Sequence, residues 1–201
     1  MNLGIISSFL VWSAFLVFLL RLRSRSSKSR VLIAIIIAAT CALTFSNLLL
    51  PLYIRGLIGD LSIVSQLLLA IYIVSSVGGI PVSTARKNEY QRLSLFMIIT
   101  ACWFYPTTLG LTYFDPYAFG YKAAAFHWCV TLYFFFAALI FYRKKHLWAC
   151  SIIAIATLGF YLHLLESDNY WDYMIDPGLT LGALIYLISN GIILLKKQLA
   201  R

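Results

Sequence analysis

The sequence consists almost entirely of apolar runs, each about long enough to cross a lipid bilayer as a helix. Crossing the hydrocarbon core takes about 20 predominantly apolar residues. The chain is 62% hydrophobic and only 11% charged, whereas a soluble domain has roughly 25% charged residues. We therefore predict an all-α integral membrane protein, a seven-helix transmembrane bundle forming a single domain over residues 1–201. The predicted spans are residues 3–20, 31–53, 61–80, 93–112, 123–142, 147–165 and 178–195.

The connections between these spans are short, which predicts antiparallel neighbouring helices that pack side by side. The first span is followed, not preceded, by a basic cluster, "RLRSRSSKSR". A secretory signal peptide has its positive charge before the apolar run. We therefore expect a retained first helix with its N-terminus outside.

Positive charge falls almost entirely on one side of the predicted bundle. Only Arg55 and Lys122 lie on the other side, which also has six of the seven acidic residues. Lys and Arg near helix ends mark the cytoplasmic side. The pattern predicts an N-out, C-in, multi-pass protein of the cell inner (plasma) membrane, and it argues against a nucleic-acid partner. The basic residues on the cytoplasmic side are Arg21, Arg23, Arg25, Lys28, Arg30, Arg86, Lys87, Arg92, Arg143, Lys144, Lys145, Lys196, Lys197 and Arg201.

The loop "ESDNYWDYMIDP", residues 166–177, concentrates negative charge and aromatic rings on the outer side. Carboxylates accept hydrogen bonds from hydroxyl groups, and ring faces cover apolar or cationic groups. Polar residues in the outer half of several spans predict a shallow outward cavity beneath this loop. The alternative is an ordinary interfacial aromatic belt with interhelical hydrogen bonds. The candidate binding residues are Glu166, Asp168, Tyr170, Trp171, Asp172, Tyr117, His127, Asn47 and Gln66.

Prolines and glycines predict local features of the helices. Asp176 before Pro177 fits the N-cap of the last span, and Asp115 before Pro116 fits that of the fifth. Pro51 and Pro106 predict bends near the outer ends of the second and fourth spans. Gly178 and Gly182 have the GxxxG spacing that lets another helix approach closely.

The leading functional hypothesis is a protein without catalysis of its own. Its outward surface would bind membrane lipid headgroups, another membrane or periplasmic protein, or an envelope saccharide. The alternative is an enzyme acting on a lipid or lipid-linked glycan at the outer leaflet, with Asp168, Asp172 and His163 as catalytic candidates. A channel or carrier is a third class.

No cofactor or metal site is predicted. Cys41, Cys102, Cys129 and Cys150 lie in apolar runs without a CxxC pair, so they indicate neither a metal site nor a disulfide framework. A trio of His127, His163 and Glu166 lacks any standard metal-binding spacing.

Overall fold

The structure, a computed structural model, describes residues 3–45 and 47–199. In these residues the chain is all-helical apart from one two-stranded hairpin. The helices are α1 (Leu3–Leu19), α2 (Ser27–Cys41), α3 (Leu50–Ile58), α4 (Ile63–Val77), α5 (Thr84–Pro106), α6 (His127–Arg143), α7 (Leu147–Tyr161), α8 (Tyr170–Met174) and α9 (Pro177–Leu199). Short 3₁₀ turns at Leu22–Ser24 and Tyr117–Gly120 lie in the connections.

The second predicted span, residues 31–53, is wrong as a single helix. Helix α2 ends at Cys41, and strands Thr44–Phe45 and Leu48–Leu49 form the hairpin before α3 begins. Asn47, predicted to lie within that span, is in the hairpin turn with a left-handed φ of 64°. Pro51 lies in the first turn of α3, where its missing N–H costs no helical hydrogen bond. The proline therefore begins a new helix and does not bend an existing one.

Helix α5 starts nine residues before the predicted fourth span, at Thr84. The Ser83 side chain accepts a hydrogen bond from the Arg86 amide and caps this earlier start. At the other end, Pro106 is followed by a π-helical turn, Thr107–Leu111, in which Gly110 has a left-handed φ of 79°. Pro106 itself keeps α-helical angles, with φ of −58° and ψ of −38°, so the departure from helical geometry lies in the turn that follows and not at the proline where the bend was predicted.

By length and composition, one helix in the described part of the chain, Thr84–Leu111, is long and apolar enough to cross a membrane. Five other apolar helical segments contain 10 to 17 residues. A helix of 15 residues is about 22 Å long, so these segments fall short of the span that the sequence pattern predicts.

Helix α4 joins the two sides of the bundle. It packs against α1 on one side and against α7 and α8 on the other, while α5 packs along α9. The main core is built around Phe134, Phe160 and Met97, all fully buried. A smaller cluster of Val17, Leu22 and Ile37 fills the space between α1 and α2.

Glu89, the one acidic residue predicted on the cytoplasmic side, caps the start of α7. Its side chain is buried, and Oε2 accepts hydrogen bonds from the Trp148 and Ala149 amides at 2.8 and 3.3 Å. These amides are in the first turn of α7, where the chain has no helical acceptors for them and where negative charge is favourable. Glu89 thereby connects α5 to α7.

Replacing this carboxylate should destabilise the protein measurably. We expect Glu89→Ala to lower the free energy of unfolding by about 1–3 kcal/mol, because two amides in the first turn of α7, that of Ala149 buried, lose their acceptor. The measurement is thermal unfolding of the purified protein in detergent. The matched control is Asn88→Ala at the adjacent exposed position, and equal melting temperatures for the two variants would contradict the capping role.

Candidate functional site

The acidic and aromatic loop of residues 166–177 turns its rings into the protein. Tyr170, Trp171 and Tyr173 in helix α8 are almost completely buried. The Trp171 ring lies 4.4 Å from that of Phe104, measured between ring centroids, and the Tyr170 ring lies 4.8 Å from that of Phe160. The prediction that Tyr170 and Trp171 form an outer recognition surface is therefore wrong, since both belong to the core.

Hydrogen bonds to the polar ends of these rings make their burial possible. Trp171 Nε1 donates to the Pro116 carbonyl at 2.9 Å, and the Tyr170 hydroxyl lies 2.7 Å from Thr157 Oγ1. Tyr173 accepts from the Leu165 amide and donates to the Leu165 carbonyl. Each ring thus brings a satisfied polar group into the core.

Asn169 and Gly120 hold the α8 segment against the connection between α5 and α6. Asn169 is buried; its Nδ2 donates to the Tyr117 carbonyl at 2.9 Å and its Oδ1 accepts from the Trp171 amide at 3.0 Å. A Cβ at residue 120 would lie 1.8 Å from Asn169 Oδ1. Glycine is therefore required at position 120 for the two segments to meet.

A cavity of about 400 Å³ lies where α5 ends and α4 and α9 begin. We call it the carboxylate cavity, because four acidic residues line it, Asp60 before α4 and three from the loop of residues 166–177. The basic clusters of the sequence lie at the opposite ends of these helices. The lining consists of Asp60, Phe104, Tyr105, Thr108, Tyr117, Leu165, Glu166, Ser167, Asp172, Ile175, Asp176 and Pro177.

Asp176 is the buried carboxylate of this cavity. Oδ1 accepts from the Leu179 amide at 2.7 Å, which confirms the predicted N-cap of α9. Oδ2 accepts from the amide and hydroxyl of Ser62 at 3.0 and 2.6 Å, and from the Ser65 hydroxyl at 2.5 Å. Ser62 is itself the N-cap of α4. One carboxylate thus connects the N-terminal turns of two helices.

Asp172 is held by hydroxyl donors at the cavity wall. The Tyr117 hydroxyl lies 3.2 and 3.0 Å from the two Asp172 oxygens, and the Ser167 hydroxyl also donates to Asp172. Burial, followed by the charge of Asp172, raises the pKa of Tyr117 far above its ordinary value. Tyr117 therefore remains a protonated donor at neutral pH and orients the Asp172 carboxylate.

Arg55 supplies a positive charge beside the cavity. Its guanidinium donates to both oxygens of Asp60, at 2.6 and 2.9 Å, and lies 3.7 Å from Glu166. Hydrogen bonding to Asp60 raises the pKa of Arg55. The Arg55 guanidinium thus holds Asp60 and Glu166 near each other, and it does not contact Asp172 or Asp176.

Five other predicted site residues do not line the cavity. The Asp168 side chain is 75% exposed and lies 3.5 Å from His163. The His127 ring lies within hydrogen-bonding distance of the Gly120 carbonyl and Thr131. Gln66 is buried and donates to the Leu61 carbonyl, and Asn47 is exposed in the hairpin turn.

The structure consequently separates the predicted catalytic pair. Asp168 precedes α8 and faces solvent, while Asp172 lines the cavity, so the two carboxylates do not share a helix face. His127, His163 and Glu166 are not brought together either, and residues 3–45 and 47–199 contain no group of three or more His, Cys, Asp or Glu side chains arranged to hold a metal ion. Asp115 accepts a hydrogen bond from the Tyr117 amide and does not cap the start of α6, where the N-cap is Phe126.

Asp60 and Tyr105 are lining residues that sequence reasoning did not select, and Asp176 was assigned only a capping role. One signal was available. Six of the seven acidic residues fall on the predicted outer side, and four of those six line this cavity. No protein-family model, curated protein or solved structure matches the chain.

Asp176→Asn should destabilise the protein, because the amide keeps one acceptor oxygen but directs an NH₂ group at the donors that Asp176 now satisfies. We expect a loss of about 1–3 kcal/mol in the free energy of unfolding, as for other buried groups left unpaired. Thermal unfolding in detergent measures it. The control is Asp115→Asn in the other Asp-Pro sequence, where the side chain is exposed and the change should be small. Comparable losses in both variants would contradict the assigned role.

Proposed function

We propose that the chain is a seven-span inner-membrane protein, N-out and C-in, that binds an amine-bearing envelope saccharide in its carboxylate cavity without catalysis of its own. The observation that carries the proposal is the convergence of four carboxylates on one cavity at the end predicted to face outward. The helical architecture, the apolar surface and the charge pattern support the membrane topology.

Large apolar side chains are exposed on each of the seven long helices α1, α2, α4, α5, α6, α7 and α9. Soluble monomers rarely expose apolar patches beyond a few hundred Å². Phe18, Ile99 and Phe135 are examples from three helices. A lipid environment would cover this surface, and apolar residues flanking the shorter helices would complete their crossings.

The charge of the cavity favours a cationic ligand. Among the residues that the structure describes at this cavity, the Arg55 guanidinium binds Asp60 and lies 3.7 Å from Glu166. The donors to Asp172 and Asp176 are uncharged hydroxyl and amide groups. The rings of Phe104, Tyr105 and Tyr117 also line the cavity, and aromatic faces attract ammonium groups. A volume of about 400 Å³ suits a sugar residue or a small headgroup.

An enzyme acting on a lipid or lipid-linked glycan at the outer leaflet remains the second candidate. Of its predicted catalytic residues, only Asp172 lines the cavity, because Asp168 and His163 lie outside it. Asp172 with the neighbouring Asp176 would have to supply the acid and base functions. Both carboxylates already accept several hydrogen bonds, which favours a positioning role over proton transfer.

The topology predicts the outcome of a reporter fusion. A reporter that is active only in the cytoplasm, fused after residue 201, should be active, and the same reporter inserted between residues 113 and 114 should be silent. Immunoblotting confirms that both fusions are produced. An active reporter at the second position would place the carboxylate cavity on the cytoplasmic side and overturn the proposal.

A matched pair of saccharides tests the ligand class. We expect a trisaccharide of glucosamine to bind the purified protein, and its N-acetylated counterpart, which lacks the ammonium charges, to bind at least about tenfold less tightly. Binding should weaken as ionic strength rises, because salt screens the attraction. Isothermal titration calorimetry measures both. Equal affinity for the two sugars would exclude recognition of the amine.

Variants locate the binding site. Glu166→Gln and Asp172→Asn each remove one charge with little change in shape, and each should weaken glucosamine trisaccharide binding about fivefold. The control is Asp168→Asn, because Asp168 lies on the same loop outside the cavity. A similar loss for Asp168→Asn would show that binding depends on the general charge of the loop and not on the cavity.

A further inference from the structure

A second cavity of about 450 Å³ is a long groove bordered by α1, α4, α5 and α9. We call it the α4/α9 groove. Leu61 and Gly178 line one end, Leu68 and Met97 the middle, and Arg23 lies at the other end. The lining is overwhelmingly apolar, and the part along α4, from Ser65 to Ser75, is about 15 Å long. This is a suitable shape for an extended hydrocarbon chain.

The small residues of α9 keep this groove open. The sequence predicted that Gly178 and Gly182 would let another helix approach closely. A Cβ at residue 182 would instead meet no atom within 4 Å, although this residue lines the groove. A Cβ at residue 178 would meet the Leu61 side chain at 3.5 Å. Gly182 therefore borders the open groove, and no other helix packs closely against it.

The cytoplasmic end of the groove is basic. Arg23 lines it, and its Nη2 donates to the Ile80 carbonyl in the turn between α4 and α5. A guanidinium has five N–H donors, so this fixed contact leaves Arg23 the capacity to bind a phosphate. The Arg30 guanidinium packs against Gly79 in the same turn. Two arginines from the basic cluster after α1 thus meet at this end of the groove.

We propose that the α4/α9 groove is a binding site for one anionic phospholipid of the cytoplasmic leaflet. An acyl chain lies along the apolar walls, and the phosphate pairs with Arg23. Basic pockets between helices on the cytoplasmic side bind anionic headgroups. The opposite orientation is disfavoured, because Asp60 and Asp176 directly adjoin the residues at the other end and repel a phosphate. The site is separate from the carboxylate cavity and goes beyond the proposed function.

Native mass spectrometry of the detergent-purified protein tests the proposal, with phosphatidylglycerol and phosphatidylcholine of identical acyl chains as probes. We expect one phosphatidylglycerol to bind about fivefold more tightly than phosphatidylcholine, the contribution of one arginine near the membrane surface. Arg23→Gln should abolish this preference. Gly182→Leu should weaken both lipids about tenfold, because the new side chain displaces acyl methylenes.

Matched controls separate the site from general effects. Gly191→Leu makes the same change on α9 outside the groove, also in open space, and Arg143→Gln removes a basic residue at the end of α6. Neither should change binding, and Glu166→Gln in the carboxylate cavity should leave phosphatidylglycerol binding intact. Equal wild-type affinity for the two lipids, or losses in the controls as large as those in the groove variants, would overturn the proposal. If Gly182→Leu fails to fold, Arg23→Gln decides.

Discussion

The arrangement of the two cavities depends on the hydrogen bonds of the Asp176 carboxylate. It accepts hydrogen bonds from Ser62 and Ser65 on one side and from Leu179 on the other, across 114 residues of sequence in the case of Ser62. Burying a carboxylate is costly unless donors surround it, and here four donors and the positive ends of two helix dipoles offset that cost. Asp176 thus fixes the starts of α4 and α9. The residues beside these starts line the two cavities, Asp60 and Pro177 the carboxylate cavity, Leu61 and Gly178 the α4/α9 groove.

The inward turn of α8 divides the acidic loop into structural and accessible parts. Its rings fill the core, and burial raises the pKa of Tyr170, which keeps that phenol neutral among its aromatic neighbours. The carboxylates of Asp172 and Asp176 stay at the cavity because hydroxyl and amide donors hold them there. Charge and aromatic character, which are mixed in the sequence, are thus sorted in space according to which groups find partners inside the protein.

Features set by neighbouring residues could be predicted from the sequence. The Asp-Pro cap of α9 depends on contacts within one helical turn, and it is present. Features set by distant partners could not be predicted. The Pro116 carbonyl that accepts from Trp171 lies 55 residues away, so nothing near "NYWDY" indicated that the rings are buried.

The break after Cys41 was missed because the hairpin sequence is apolar enough to continue the hydrophobic run. The sequence predicted a cavity beneath the acidic loop, and the structure has a cavity there, but among the candidate binding residues only Glu166, Asp172 and Tyr117 line it.

Under the proposed membrane topology, the unequal lengths of the helices would have a consequence for the surrounding bilayer. Helices α4 and α7 contain 15 residues each, about 22 Å, whereas the hydrocarbon core of a typical bilayer is about 30 Å thick. Helices α5 and α9, with 23 residues each, are about 35 Å long and would tilt. Where flanking apolar residues do not complete a crossing, the bilayer would thin beside the short helices, and each ångström of hydrophobic mismatch would cost a fraction of a kcal/mol. Such a protein would concentrate in thinner regions of a membrane and draw together with other proteins that deform the lipid in the same way.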